Sequence, residues 1–165
     1  MVDRQGSGFD TAQICINGHV VNSQLADFPA KNEDYCSKCG AKTIVVCPKC
    51  EVAIRGVNYL YGHASTYSRP AYCFKCGAPY PWTEEALKAA SEFTKDLDEL
   101  SPADKASLME TFPDLVRDSP QSTVAASRFA RMMAKVGPLA AEGLKTILVN
   151  VVTEMAKKTM FPGGV

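Results

Sequence analysis

The chain has 165 residues, enough for one ordinary domain or two small ones, and its 18 Lys and Arg balance 18 Asp and Glu to a formal net charge of zero. That balance excludes bulk attraction to nucleic acid or to a membrane surface as an organising force. The most apolar stretch, Ile147 to Val152 between Lys145 and Glu154, is far shorter than the ~20 residues of a membrane-spanning helix. No apolar segment follows the opening Met-Val-Asp-Arg-Gln-Gly-Ser-Gly, so a cytoplasmic protein is expected.

Residues 1–9 read as a flexible tail. Residues 10–82 are rich in Gly, Pro, Cys and short apolar runs without helical periodicity, and a region of that kind needs metal in place of a large core. Within it, Thr11 to Val21 reads as two strands joined by an Asn17-Gly18 turn, and residues 22–34 as loop. Lys42 to Val46 is a β-prone run, a spine between two cysteine pairs. Val52 to Leu60 reads as a further hairpin arm broken at Gly56, with Tyr59, Tyr61, Tyr67 and Tyr72 crowding the approach to the last pair.

All seven cysteines lie in this region. Cys36/Cys39, Cys47/Cys50 and Cys73/Cys76 are C-x-x-C steps, the spacing at which two thiolates on a tight turn reach one tetrahedral metal, while Gly40 and Gly77 can leave the turn at positive φ. Cys15-Ile-Asn-Gly-His19 supplies a fourth half-site, because imidazole is the other common zinc ligand. Tyr35-Cys-Ser-Lys-Cys-Gly-Ala41 recurs as Tyr72-Cys-Phe-Lys-Cys-Gly-Ala78, each copy preceded by another half-site. This echo groups Cys15, His19, Cys36 and Cys39 as one site and Cys47, Cys50, Cys73 and Cys76 as the other. The alternative joins Cys36/Cys39 to Cys47/Cys50 and Cys15/His19 to Cys73/Cys76, with the same eight residues. An odd cysteine count and the very short loops that C-x-x-C pairs would close argue against a disulfide framework. Two structural zinc ions are expected, although four thiolates also suit iron.

Four protein ligands per ion leave no position for water or substrate. His63, in the loop between Cys50 and Cys73, could serve as a base beside a metal, but with eight better-spaced ligands it reads as an exposed loop residue. The chain holds no H-E-x-x-H, no P-loop, no dinucleotide glycine loop, no G-x-S-x-G and no H-x-E ahead of a C-x-x-C step. No catalytic residue is assigned; an enzyme would need a site that the sequence does not announce.

Residues 83–161 contain no cysteine and read as about four helices. Thr83 is the expected N-cap of the first, Glu84 to Leu100, whose Leu87, Ala90, Phe93, Leu97 and Leu100 recur at spacings of three and four. Trp82, at the junction, reads as a plug between the two regions or as a partner anchor. Ser101-Pro102 opens a shorter helix to about Glu110, interrupted by Phe112-Pro113, and Ser119-Pro120 opens another through Lys135 with Val124, Ala125, Phe129, Met132 and Met133 as its apolar positions. Gly137-Pro138 starts a last helix, Leu139 to Met160, with Leu144, Ile147, Leu148, Val151, Val152 and Met155 in a stripe and Phe161-Pro-Gly-Gly as terminator. Ten acidic residues face four basic ones between Glu84 and Asp118, and six basic face two acidic between Arg128 and Lys158.

The fold class is thus a small metal-stabilised β head, a double zinc ribbon, followed by an α-helical C-terminal region. The motifs Gln13-Ile-Cys-Ile-Asn-Gly-His-Val20, Tyr35 to Thr43, Cys47-Pro-Lys-Cys50, Ile54-Arg-Gly56 and Ala71 to Glu84 resemble a family of uncharacterised bacterial proteins, the domain of unknown function numbered 2321, over roughly residues 12–90. The resemblance implies a bacterial, cytoplasmic zinc-ribbon protein with the eight ligands above and carries no activity. The leading functional expectation is a non-enzymatic interaction or scaffold protein that binds a protein partner or self-associates through its C-terminal helices. The alternative is an RNA- or single-stranded-DNA-binding ribbon using Lys38, Lys42, Lys49, Arg55, Arg69 and Lys75 among the tyrosines and Phe74.

Overall fold

The computed structural model describes residues 8–59 and 67–160. Tyr61, His63 and the Phe161-Pro-Gly-Gly terminator lie outside the described residues. The chain divides into two compact units at the Trp82–Thr83 junction.

Five short strands make up the first unit: β1 (Phe9–Thr11), β2 (Gln13–Cys15), β3 (Val20–Asn22), β4 (Thr43–Ile44) and β5 (Arg55–Asn58). The antiparallel order is β3-β2-β4 in one sheet and β1-β5 in the other. β2 is central because every one of its residues is buried. Its Gln13 meets that burial with a full set of partners: Nε2 donates to the Glu33 carbonyl and the Thr43 hydroxyl, and Oε1 accepts from the Glu33 amide. The β2–β3 hairpin turns at Gly18, as expected, with φ +86.

Three expectations change here. The tail ends sooner, because Phe9 is paired with Asn58 in the β1–β5 ladder. Residues 22–34 are an organised loop: buried Asn22 donates to the Phe28 carbonyl and to Asn32 Oδ1, and Pro29–Lys31 forms a single 3₁₀ turn. Gly56 does not break its strand; it sits inside β5, where a Cβ would lie 2.3 Å from the Ser23 carbonyl oxygen. The glycine serves close approach of two backbones rather than a turn.

Ala12, Ile14, Cys47, Ile54, Cys73, Tyr80 and Trp82 form the core of this unit. Trp82 is 2% exposed, stacks on Tyr80 at 4.6 Å and donates through Nε1 to the Pro70 carbonyl. Its burial removes it as a partner anchor.

The second unit is helical. α1 (Pro81–Lys95) starts two residues before the expected cap, since Pro81 is preset for the first helical position, and Thr83 is a fully buried helix residue rather than a cap. α2 (Pro102–Leu115) is capped by Ser101, whose side chain accepts from the Asp104 amide. It runs through Pro113 instead of stopping near Glu110. An interior proline costs about 3 kcal/mol, but Leu108, Phe112 and Leu115 are at most 1% exposed, and their burial at ~1.5–3 kcal/mol each outweighs it.

In α3 (Pro120–Met133) the buried face is Ala125, Ala126 and Phe129, with Phe129 against Phe112 at 6.5 Å; Val124 points to solvent. The expected last helix is two: α4 (Pro138–Leu148) and α5 (Glu154–Met160). Between them the Thr153 amide donates to the Leu115 carbonyl and its hydroxyl accepts from the Ala156 amide, so Thr153 starts a new helix where β-branched Val151 and Val152 turn into the core.

Candidate metal centres

The three C-x-x-C steps fold into one repeated knuckle. In each, the first cysteine's amide donates to the carbonyl five residues on: Cys36 to Ala41, Cys47 to Val52 and Cys73 to Ala78, all at 2.8 Å. The residue after the second cysteine donates back to the first cysteine's carbonyl: Gly40 at 2.7 Å, Glu51 at 2.9 Å and Gly77 at 2.9 Å. All three of those residues have left-handed backbone, φ 70, 57 and 70. An isolated antiparallel bridge closes each knuckle, Tyr35 with Lys42, Val46 with Ala53 and Tyr72 with Pro79. The internal echo therefore has a third copy, hidden in the sequence because Glu51 stands where the others have glycine.

The Cys15/His19 half-site is built differently, as the tip of the β2–β3 hairpin. The Cys15 amide donates to the His19 carbonyl, Gly18 donates to the Cys15 carbonyl, and the His19 amide points at the Cys15 sulfur, 3.2 Å away. Gly18 is required twice: by its positive φ, and because a Cβ there would lie 2.5 Å from Arg69 Nη1 and 2.7 Å from Trp82 Cβ. Arg69 donates through that nitrogen to the Gly18 carbonyl. A residue expected to be available for phosphate is instead a strut that holds the hairpin tip from 51 positions away.

These loops gather the eight residues into two quartets: Cys15, His19, Cys36 and Cys39, and Cys47, Cys50, Cys73 and Cys76. Within each, all four ligand atoms lie within 4.8 Å of one another. The grouping is the one drawn from the internal echo; the close-pair alternative is not formed.

The spacings test the fit to a metal. Two sulfurs about 2.3 Å from a tetrahedral ion stand about 3.8 Å apart, and a sulfur and an imidazole nitrogen about 3.6 Å apart. The structure has Cys15–Cys39 and Cys47–Cys76 at 3.8 Å, Cys50–Cys73 at 3.6 Å, and His19 Nδ1 at 3.6 Å from both Cys15 and Cys36. A disulfide would bring sulfurs to about 2 Å, and all seven cysteines are free. The donor atoms fit a tetrahedral ion, with His19 offering Nδ1.

The environment already prepares thiolates. A hydrogen bond from the Ala41 amide, with help from His19 and Asn17, brings the Cys39 thiol down to about 6, whereas burial pushes Cys15 up. Asn17 Nδ2 lies 3.5 Å from the Cys39 sulfur. In each quartet the first cysteine of every knuckle is buried, while Cys39 and Cys76 are exposed, so the ions would sit at the surface edge of the unit.

No helix among the described residues is long and apolar enough to cross a membrane. No curated protein and no solved structure matches the chain. The family model that does match reaches well past the cysteine-rich region to which the motifs had confined the resemblance, and takes in the helices as well. Over residues 8–160 the chain matches DUF2321, an uncharacterized protein conserved in bacteria, and it belongs to that family.

Proposed function

We propose that the first unit is a double zinc ribbon whose two ions are structural, and that the protein is a cytoplasmic, non-enzymatic interaction module built on that head. The observation carrying this reading is the closure of both quartets: four protein donors at tetrahedral spacing in each, with no fifth donor and no vacancy for a substrate. When bound, zinc supplies folding free energy, of order 10–16 kcal/mol for an isolated structural site, rather than an activated water. His19 with three cysteines favours zinc at the first site; the four-thiolate set also accepts iron.

Self-association through the Leu139–Met160 stripe has a narrower basis than its periodicity suggests. Leu144, Leu148, Val151 and Val152 are buried within the helical unit, which leaves Leu139 and Met155, 87% and 57% exposed, as the apolar residues of that stretch open to a second chain.

Native mass spectrometry tests the metal reading. Two zinc ions per chain are expected, falling to one in Cys47→Ser and in Cys36→Ser. A single ion in the unaltered protein, or a quartet variant that keeps both, would break the two-site assignment. The same spectra report the number of chains per particle.

A further inference from the structure

On the second quartet's surface a stack of side chains stands out. The Arg55 guanidinium lies 3.7 Å from the Phe74 ring centroid and 4.7 Å from that of Phe9. Phe74 comes from the knuckle Cys73-Phe-Lys-Cys76, Phe9 from β1 and Arg55 from β5, so three separate segments converge on it. Phe74 is half exposed although one face is covered by the guanidinium, and Arg55 itself is exposed. A buried core would have taken this phenyl ring in; here the fold holds it at the surface with a cation.

Exposed Lys75 follows Phe74 on the same knuckle, and exposed Lys49 occupies the equivalent position on the facing knuckle, Cys47-Pro-Lys-Cys50. Among the described residues no carboxylate pairs with Arg55, Lys49 or Lys75. The opposing charges are Glu51, exposed on the neighbouring turn, and the thiolates themselves, of which Cys47 and Cys73 lie beneath the knuckles at 2% exposure. Cations therefore dominate the outermost layer, and net charge over the whole site is small. A partner recognised here has to be held by ring stacking as much as by charge.

We propose that this face, Phe9, Arg55 and Phe74 flanked by Lys49 and Lys75, docks a single-stranded nucleic acid, an inference that rests on the zinc-ribbon reading for its scaffold. An unpaired base stacks on the solvent side of Phe74, which the guanidinium already holds in place, so little side-chain entropy is lost on binding. The edge of the Arg55 guanidinium and the two lysine ammoniums take the flanking phosphates. Every base has a π-face, so the surface is tolerant of sequence. Base-paired duplex is excluded because it offers phosphates but no free face to stack.

The test is fluorescence anisotropy of the full, zinc-loaded chain with labelled oligo(U) and oligo(dT), a duplex of equal length and a poly-Glu peptide, at low and rising salt. Binding to one or both single strands is expected, weakened about tenfold by Phe74→Ala and clearly less by Phe74→Trp, which keeps a stacking face. Arg55→Lys, which keeps charge and loses the planar stack, is also expected to weaken it. Neutralising Lys49 and Lys75 together should lower the slope of log affinity against log salt by about one. No single-strand binding at low salt overturns the proposal. So does equal affinity for duplex or for poly-Glu, or binding indifferent to Phe74→Ala, since a purely electrostatic or protein-directed surface would behave that way. Zinc content is measured on every variant: two ions with no binding sinks the docking surface and leaves the ribbon standing, whereas lost ions sink the ribbon reading itself.

Discussion

The two units reach a folded state by different means, although each is only about eighty residues long. No strand of the head exceeds four residues, and two of the seven members of its buried core, Cys47 and Cys73, belong to the second quartet. The helical unit has no cysteine and closes on Leu108, Phe112, Leu115, Phe129, Leu144 and Leu148, none more than 1% exposed. A chain this short buries enough apolar surface for stability when long amphipathic helices supply it, and needs a metal when short strands do. One polypeptide holds both solutions side by side, so each serves as the control for the other.

Metal removal is the largest expected break in that comparison. The only tryptophan, Trp82, is buried in the core of the head, whereas the helical signal comes mainly from the second unit. A strong chelator should shift Trp82 emission to the red while most of the ellipticity at 222 nm survives, because zinc-binding free energy is the folding free energy of the head alone. Acid should do the same as protons displace the ion from its thiolates. Loss of both signals together would mean that the helices depend on the head, and loss of neither that the strands stand without metal.

The converse perturbation is smaller. Phe112 is 1% exposed and packs on Phe129, so Phe112→Ala is expected to destabilise the helical unit by about 3–5 kcal/mol through lost burial and a residual cavity. Thermal melts followed at 222 nm should move down, and zinc stoichiometry and Trp82 emission at room temperature should not. A variant that loses zinc would join the two cores that the comparison separates.

The site was more legible in the sequence than the helices were. Ligand spacing is a local constraint, so C-x-x-C and C-x-x-x-H announce the eight donors, and the Tyr35/Tyr72 echo carries their grouping. What escaped was non-local. Arg69 meets Gly18 across 51 positions, and nothing in Ser68-Arg69-Pro70 distinguishes a strut from a phosphate ligand. The Phe9 contribution to the surface stack depends on β1 pairing with β5, which a three-residue strand beside a glycine-rich start does not advertise. In the helices, periodicity placed the apolar faces but misjudged the ends. The Leu139–Met160 stripe continues in register through Val151 and Val152, yet the chain breaks there because Thr153 finds a carbonyl on α2. Pro113 was read as a stop because propensity is local, while the Phe112 and Leu115 packing that overrides it is not.

The smallest effect separates backbone from charge within the head. Glu51 holds the left-handed position that Gly40 and Gly77 occupy in the sister knuckles, and a non-glycine residue there costs about 1–2 kcal/mol. Glycine removes that strain but gives back about 0.5–1 kcal/mol in chain entropy. Glu51→Gly should therefore stabilise the second site by about 0.5–1 kcal/mol, a zinc affinity two- to fivefold tighter by chelator competition. Gly40→Ala and Gly77→Ala should move the other way by a similar amount; nothing lies within 4 Å of a Cβ at either position, so the loss there is purely conformational. Glu51 also places a carboxylate beside a thiolate-rich site, and removing its charge could produce the same gain. Glu51→Gln removes the charge and keeps the strained Cβ, while Glu51→Asn removes the charge in a residue that tolerates the left-handed region. Gains for Gly and Asn without one for Gln assign the effect to backbone strain; equal gains for all three assign it to charge and remove Glu51 as the strained member of the threefold knuckle.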